Sequence, residues 1–99
     1  MLNKEEILFY LKENKEILFS EYRLSRLGLF GSFALGEASE SSDIDLLIEF
    51  LPETENLSEK KYKLKSTLRE RFNREVDLCR EKYIKPYFKT QIQKSVIYV

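Results

Sequence analysis

Ninety-nine residues make one domain, and 17 Lys plus Arg balance 17 Asp plus Glu, so no net basic field draws in nucleic acid. Histidine is absent, which excludes Ser-His and Cys-His catalysis and any histidine metal site. The single cysteine, Cys79, has no partner for an internal disulfide and reads as a small packed residue at a strand end.

Residues 4–19 are expected to form a helix, capped by Asn3 with Glu6 three residues on, and with Ile7, Leu8, Leu11 and Leu18 near one face. Residues 24–31 alternate loosely and end in Leu29-Phe30-Gly31, a strand. A helical turn over 33–36 is closed by Gly36, and a polar loop follows to Ser42. Residues 44–50 form a central strand stopped by Pro52. Leu57 through Phe72 is a long helix, with Leu64, Leu68 and Phe72 at i, i+4, i+8. Its clustered Lys and Arg residues read as a solvated face. Residues 75–79 make a third strand, Pro86 opens a helix over 86–94, and Val96 to Val99 is a short closing strand. Helices and strands alternate, which argues for an α/β sandwich in a single domain spanning 1–99. Strand order stays open. No apolar run reaches transmembrane length and no signal-peptide apolar region is found. The cytoplasm is therefore the expected compartment, with no membrane contact. A core this small cannot enclose a deep pocket, so any active site is an open cleft completed by substrate or partner.

The chemistry concentrates in LGLFGSFALGEASESSDIDLLIEF, residues 27–50. Gly31-Ser32 leaves an apolar run, and ten residues separate it from Asp43-Ile44-Asp45. In a strand, residues i and i+2 share a face with Cα atoms roughly 6.5 Å apart, so two carboxylates there can share a hard cation. Mg²⁺ takes such oxygens together with substrate phosphates. Asp77, between Val76 and Leu78, adds a third acid on the polar side of a later strand. A glycine admits close backbone approach, and Ser32 with the following N–H groups offers donors to a phosphate. Plainer readings stand beside these. The acids are solvated turn residues, Asp77 is an edge residue or a partner for Arg74 or Arg80, and Ser32 is a helix N-cap.

The combination of Gly31, Ser32, Gly36, Asp43, Asp45 and Asp77 in this frame resembles the DNA polymerase beta-type nucleotidyltransferase superfamily, and in size the minimal nucleotidyltransferases, or MNT proteins. Lys85-Pro86 and the final Ser95-Val96-Ile97-Tyr98-Val99 also resemble that family's ending. Many members carry an arginine where this chain has Leu35. The resemblance implies an α+β nucleotidyltransferase fold, a small mixed sheet packed by helices, with the three acids clustered on neighbouring strands facing the Gly31-Ser32 turn. It implies two Mg²⁺ ions about 3.5–4 Å apart and ATP as nucleotide donor. Asp43, Asp45 and Asp77 would be metal ligands and catalytic groups, with Asp77 helping to deprotonate the acceptor. Gly31 and Ser32 would bind the β- and γ-phosphates.

The acceptor that the resemblance implies is a protein. MNT proteins are commonly paired as antitoxins with HEPN-domain RNase toxins, and several resemble enzymes that place AMP on a toxin tyrosine. Two rivals remain: an antitoxin that masks its HEPN partner without transfer, and a small-molecule nucleotidyltransferase. Tyr83, Tyr87 and Phe88 form an aromatic group suited to core or to an interface, and the chain is open to homo- or hetero-oligomers.

Overall fold

The computed structural model describes residues 1–99. The chain runs α1 (Lys4–Glu13), α2 (Lys15–Tyr22), β1 (Leu24–Phe30), α3 (Gly31–Leu35), β2 (Ile44–Phe50), α4 (Leu57–Phe72), β3 (Val76–Arg80), a 3₁₀ turn (Glu81–Tyr83), α5 (Pro86–Ser95) and β4 (Ile97–Tyr98). The four strands form one mixed sheet in the order β3-β2-β1-β4. The β1–β2 and β1–β4 pairs are antiparallel, and β2–β3 is parallel. A parallel pair needs a long crossover, and α4 supplies it.

Expectations for β2 and α4 agree with the structure to the residue, because both carry a strong apolar period bounded by turn residues. The N-terminal helix differs. It is expected to be continuous over 4–19, and the structure breaks it at Asn14 into two helices. The Asn14 side chain donates to the Tyr10 carbonyl at 2.9 Å, an alternative to continued helix that this residue type favours. The apolar period hides the break, because Ile7, Leu11 and Leu18 all reach the same core. The Asn3 cap is present, with the Glu6 N–H donating to Asn3 Oδ1 at 2.9 Å.

The core lies between one face of the sheet and helices α1, α2 and α4. Leu27 and Leu29, then Ile44, Leu46 and Ile48, then Val76 and Leu78 supply the sheet side. Leu64 and Leu68 of α4 close it from the other side with no exposed surface. Alternation therefore sends the odd-numbered residues of β2 and β3 to the opposite face, where Asp45 and Asp77 lie. Gly28 leaves room on that second face for the Val96 and Tyr98 side chains. A Cβ there would meet Val96 Cγ2 at 2.8 Å and Tyr98 Cδ1 at 3.0 Å.

Candidate active site

Asp45 and Asp77 are register partners on the parallel β2–β3 pair, so their side chains leave neighbouring strands at the same level and on the same face. Asp45 is half-buried and Asp77 exposed. Asp43 is exposed at the entry to β2, on the wall of a polar depression shared with Arg69, Asn73 and Arg74. None of the three joins any of the four ion pairs of the fold. The Asp45 carboxyl is accordingly pushed up to about 6, by burial first, then by the charge of Asp77 and that of Asp43.

The pairing expectation for Asp77 fails in an instructive way. Arg80 turns to Glu49, donating from Nε at 3.0 Å and from Nη2 at 2.6 Å. Arg74 donates to the carbonyls of Ser39 at 3.0 Å and Ser42 at 2.9 Å, with its guanidinium over the Phe33 ring. Arg74 thus fixes the loop that delivers Asp43. Its position in sequence held no sign of that role, because the contact spans more than thirty residues.

The Gly31-Ser32 turn stands against the acids. Phe30, the residue before it, is the register partner of Asp45. Gly31 has φ +75°, and a Cβ built on it would collide with the Asp45 carboxylate. Only glycine satisfies both demands. Ser32 is not an N-cap. It lies inside the first turn of α3, and its hydroxyl enters no hydrogen bond within the protein. Gly36 ends α3 at φ +75° with open space around it. Leu35 is 56% exposed.

A cavity of about 400 Å³ opens beside the acids, lined by Phe30, Asp45, Asp77, Cys79, Tyr83 and Phe88 among others. Cys79 is therefore not simply packed. It is half-buried on the cavity wall, 3.8 Å from Asp77 Oδ2, and its thiol is pushed up by burial, then by Asp77 and Asp45, against the pull of Lys61. Tyr83 and Phe88 are 69% and 53% exposed and so belong to the surface around the cavity, not to the core.

The donors fit a hard divalent cation. They are carboxylate oxygens, crowded, and none of them is held in an ion pair. No three Asp, Glu or Cys side chains close into a ready cage. That openness suits Mg²⁺, which completes its shell with water and substrate phosphates.

The description "Nucleotidyltransferase domain" fits a family model that matches residues 11–99. A Methanocaldococcus jannaschii relative, whose name marks its protein adenylyltransferase activity as inferred, is 38% identical over 95% of both chains. Protein adenylyltransferase MntA of Thermococcus cleftensis is 33% identical over 100% of this chain and 98% of its own. A solved minimal nucleotidyltransferase superposes with TM-score 0.80 at 27% identity, covering 97% of this chain and 95% of that one. The MNT antitoxin in a complex with a tri-AMPylated Shewanella oneidensis HEPN toxin shares the fold at TM-score 0.59 and 23% identity, over 90% and 69% of the chains. By sequence over nearly its full length and by fold, this chain belongs to the nucleotidyltransferase domain family.

Proposed function

We propose that this chain transfers a nucleoside monophosphate, AMP from ATP, to a hydroxyl of a partner protein, and that it acts as the antitoxin of a HEPN RNase toxin by adenylylating a tyrosine. The observation that carries the transfer reading is the uncompensated Asp45–Asp77 pair with Gly31 against it. Such a group weakens the metal-free fold, and a bound cation with a phosphate would offset that cost. The names of the relatives support a protein acceptor. The HEPN complex of a structural neighbour supports the toxin partner.

Asp43, Asp45 and Asp77 would hold the divalent ions. Bound there, such ions neutralise phosphate charge and orient an in-line displacement. The missing Cβ of Gly31 admits the triphosphate close to the backbone, and the free Ser32 hydroxyl donates to a β- or γ-phosphate oxygen. Asp77, at the outer side of the pair, takes the proton of the attacking hydroxyl. The hydroxyl oxygen bonds to the α-phosphorus as the bond to the bridging oxygen breaks and pyrophosphate leaves. Leu35 favours the rival reading, a partner-masking protein, because an exposed leucine makes apolar contact where an arginine would bind phosphate.

Asp77→Asn separates the two. It keeps the size of the side chain and removes the charge. With ATP, Mg²⁺ and the HEPN partner, the parent should add an AMP mass to the partner. The variant should bind the partner and add none. No adduct with the parent, and equal neutralisation of the toxin by both, would overturn transfer in favour of masking.

A further inference from the structure

The sheet ends at β3, and that edge is unpaired. β3 bonds only to β2, and none of residues 76–79 enters a turn, loop or cap backbone hydrogen bond. The Ile44 N–H donates to the Glu75 carbonyl at 2.9 Å, which sets the phase of the ladder. In a parallel pair bonded this way, the amides of Asp77 and Cys79 point inward to β2, and those of Val76 and Leu78 point outward with their carbonyls. A strand added at this edge would pair with Val76 and Leu78. Its residue level with Asp77 would project on the acid face, about 5 Å from Asp77 between Cβ atoms. Asp45, Asp77 and that residue would stand in one row across three strands.

A cationic stripe runs beside the same edge. On α4, Lys61, Lys65 and Arg69 follow i, i+4, i+8 on the flank away from α2, while Thr67 on the other flank bonds Tyr22 at 2.9 Å. Arg69 pairs with Glu75 at 2.7 Å at the start of β3, which anchors that end of the stripe to the strand. The spacings agree. Eight helical residues span about 12 Å, and four strand residues about 13 Å. The lysines thus keep pace with the strand.

We infer that the free β3 edge, flanked by Lys61 and Lys65, is the acceptor dock: it takes an extended acidic segment of the acceptor protein as an added strand, with a hydroxyl side chain level with Asp77. The inference rests on the transfer reading above and names how the acceptor is held. Main-chain bonds to Val76 and Leu78 supply the register, and alternate acidic side chains lie toward α4. Register, not a side-chain pocket, then chooses which hydroxyl reacts.

The test uses the ¹⁵N-labelled protein and a short peptide of alternating threonine and glutamate with one central tyrosine, followed by residue-resolved amide exchange. Without peptide, Asp77 and Cys79 amides exchange slowly and Val76 and Leu78 quickly. At saturating peptide, Val76 and Leu78 should slow by roughly tenfold or more. Lys61→Glu with Lys65→Glu should weaken peptide binding by about tenfold and leave ATP affinity unchanged, and a lysine-for-glutamate peptide should recover the loss. Failure of the peptide to bind, or adenylylation of the peptide with no protection of Val76 and Leu78, overturns the dock. Protection without transfer in the presence of ATP and Mg²⁺ supports the dock and counts against the transfer reading instead.

Discussion

Gly31 and Asp45 are built against each other: the positive-φ glycine at the start of α3 leaves just the space that the Asp45 carboxylate occupies. The contact joins the Gly31-Ser32 turn to the acidic pair without any side-chain bond. It also makes one substitution act on both.

Gly31→Ala should therefore cost more than Gly36→Ala, although both glycines have φ +75°. At Gly36 the cost is backbone strain alone, on the order of 1–2 kcal/mol, with nucleotide affinity kept. At Gly31 the same strain adds to displacement of Asp45, so stability falls further and ATP–Mg²⁺ binding is lost. Urea titration and calorimetry on the two variants check this. Equal costs and equal affinities would separate the turn from the acids.

Asp45→Asn should stabilise the metal-free protein above about pH 6. The folded carboxyl titrates near 6 against an ordinary 3.8, so its ionisation works against the fold. That penalty is absent below the ordinary value and grows as pH rises through the window. Solvent screening at this half-open position reduces it to about 1 kcal/mol, or roughly 4–8 °C in Tm. The variant and its parent should converge in stability as pH falls toward 4. A variant less stable than the parent at every pH would mean that the carboxylate supports the fold.

Glu49 should show the opposite sign. Burial alone would raise its carboxyl, but donors from Arg80 and from the Lys82 and Phe50 N–H groups outweigh it and hold the group below its usual 4.5. Stability from this site is present above 4.5 and is lost as pH falls through the lower folded value. Glu49→Gln should cost about 1–2 kcal/mol at neutral pH and nothing in strong acid. Denaturation curves across the acid range check it, and a pH-independent difference would assign the cost to packing.

Arg74→Ala should act on rate more than on stability. Removing its two bonds to the Ser39–Ser42 loop frees the approach to Asp43 without opening the core. Transfer should slow by roughly ten- to a hundredfold, since misplacement of about 1 Å has effects of that order. ATP affinity measured without Mg²⁺ should hold. An unchanged rate would show that Asp43 needs no help from the loop.

Much of this is legible in local pattern. Alternation over 44–50 puts Ile44, Leu46 and Ile48 in the core and sends Asp45 the other way, and the structure agrees. The i, i+4 series in Leu64 and Leu68 predicts the buried face of α4. The break at Asn14 is not legible, since both helix pieces serve one apolar face.

The sequence by itself determined the spans of β2 and α4, the sheet face that Asp45 and Asp77 take, and, through motif resemblance, the family. These depend on neighbours within a few positions, where backbone geometry is periodic. The tertiary structure alone decided that Asp77 is the register partner of Asp45, that Gly31 rests on that carboxylate, that Arg74 serves the loop while Arg80 serves Glu49, and that β3 is an edge. Those relations join residues brought together by strand pairing across the α4 crossover, and no local period records which strand lies next to which.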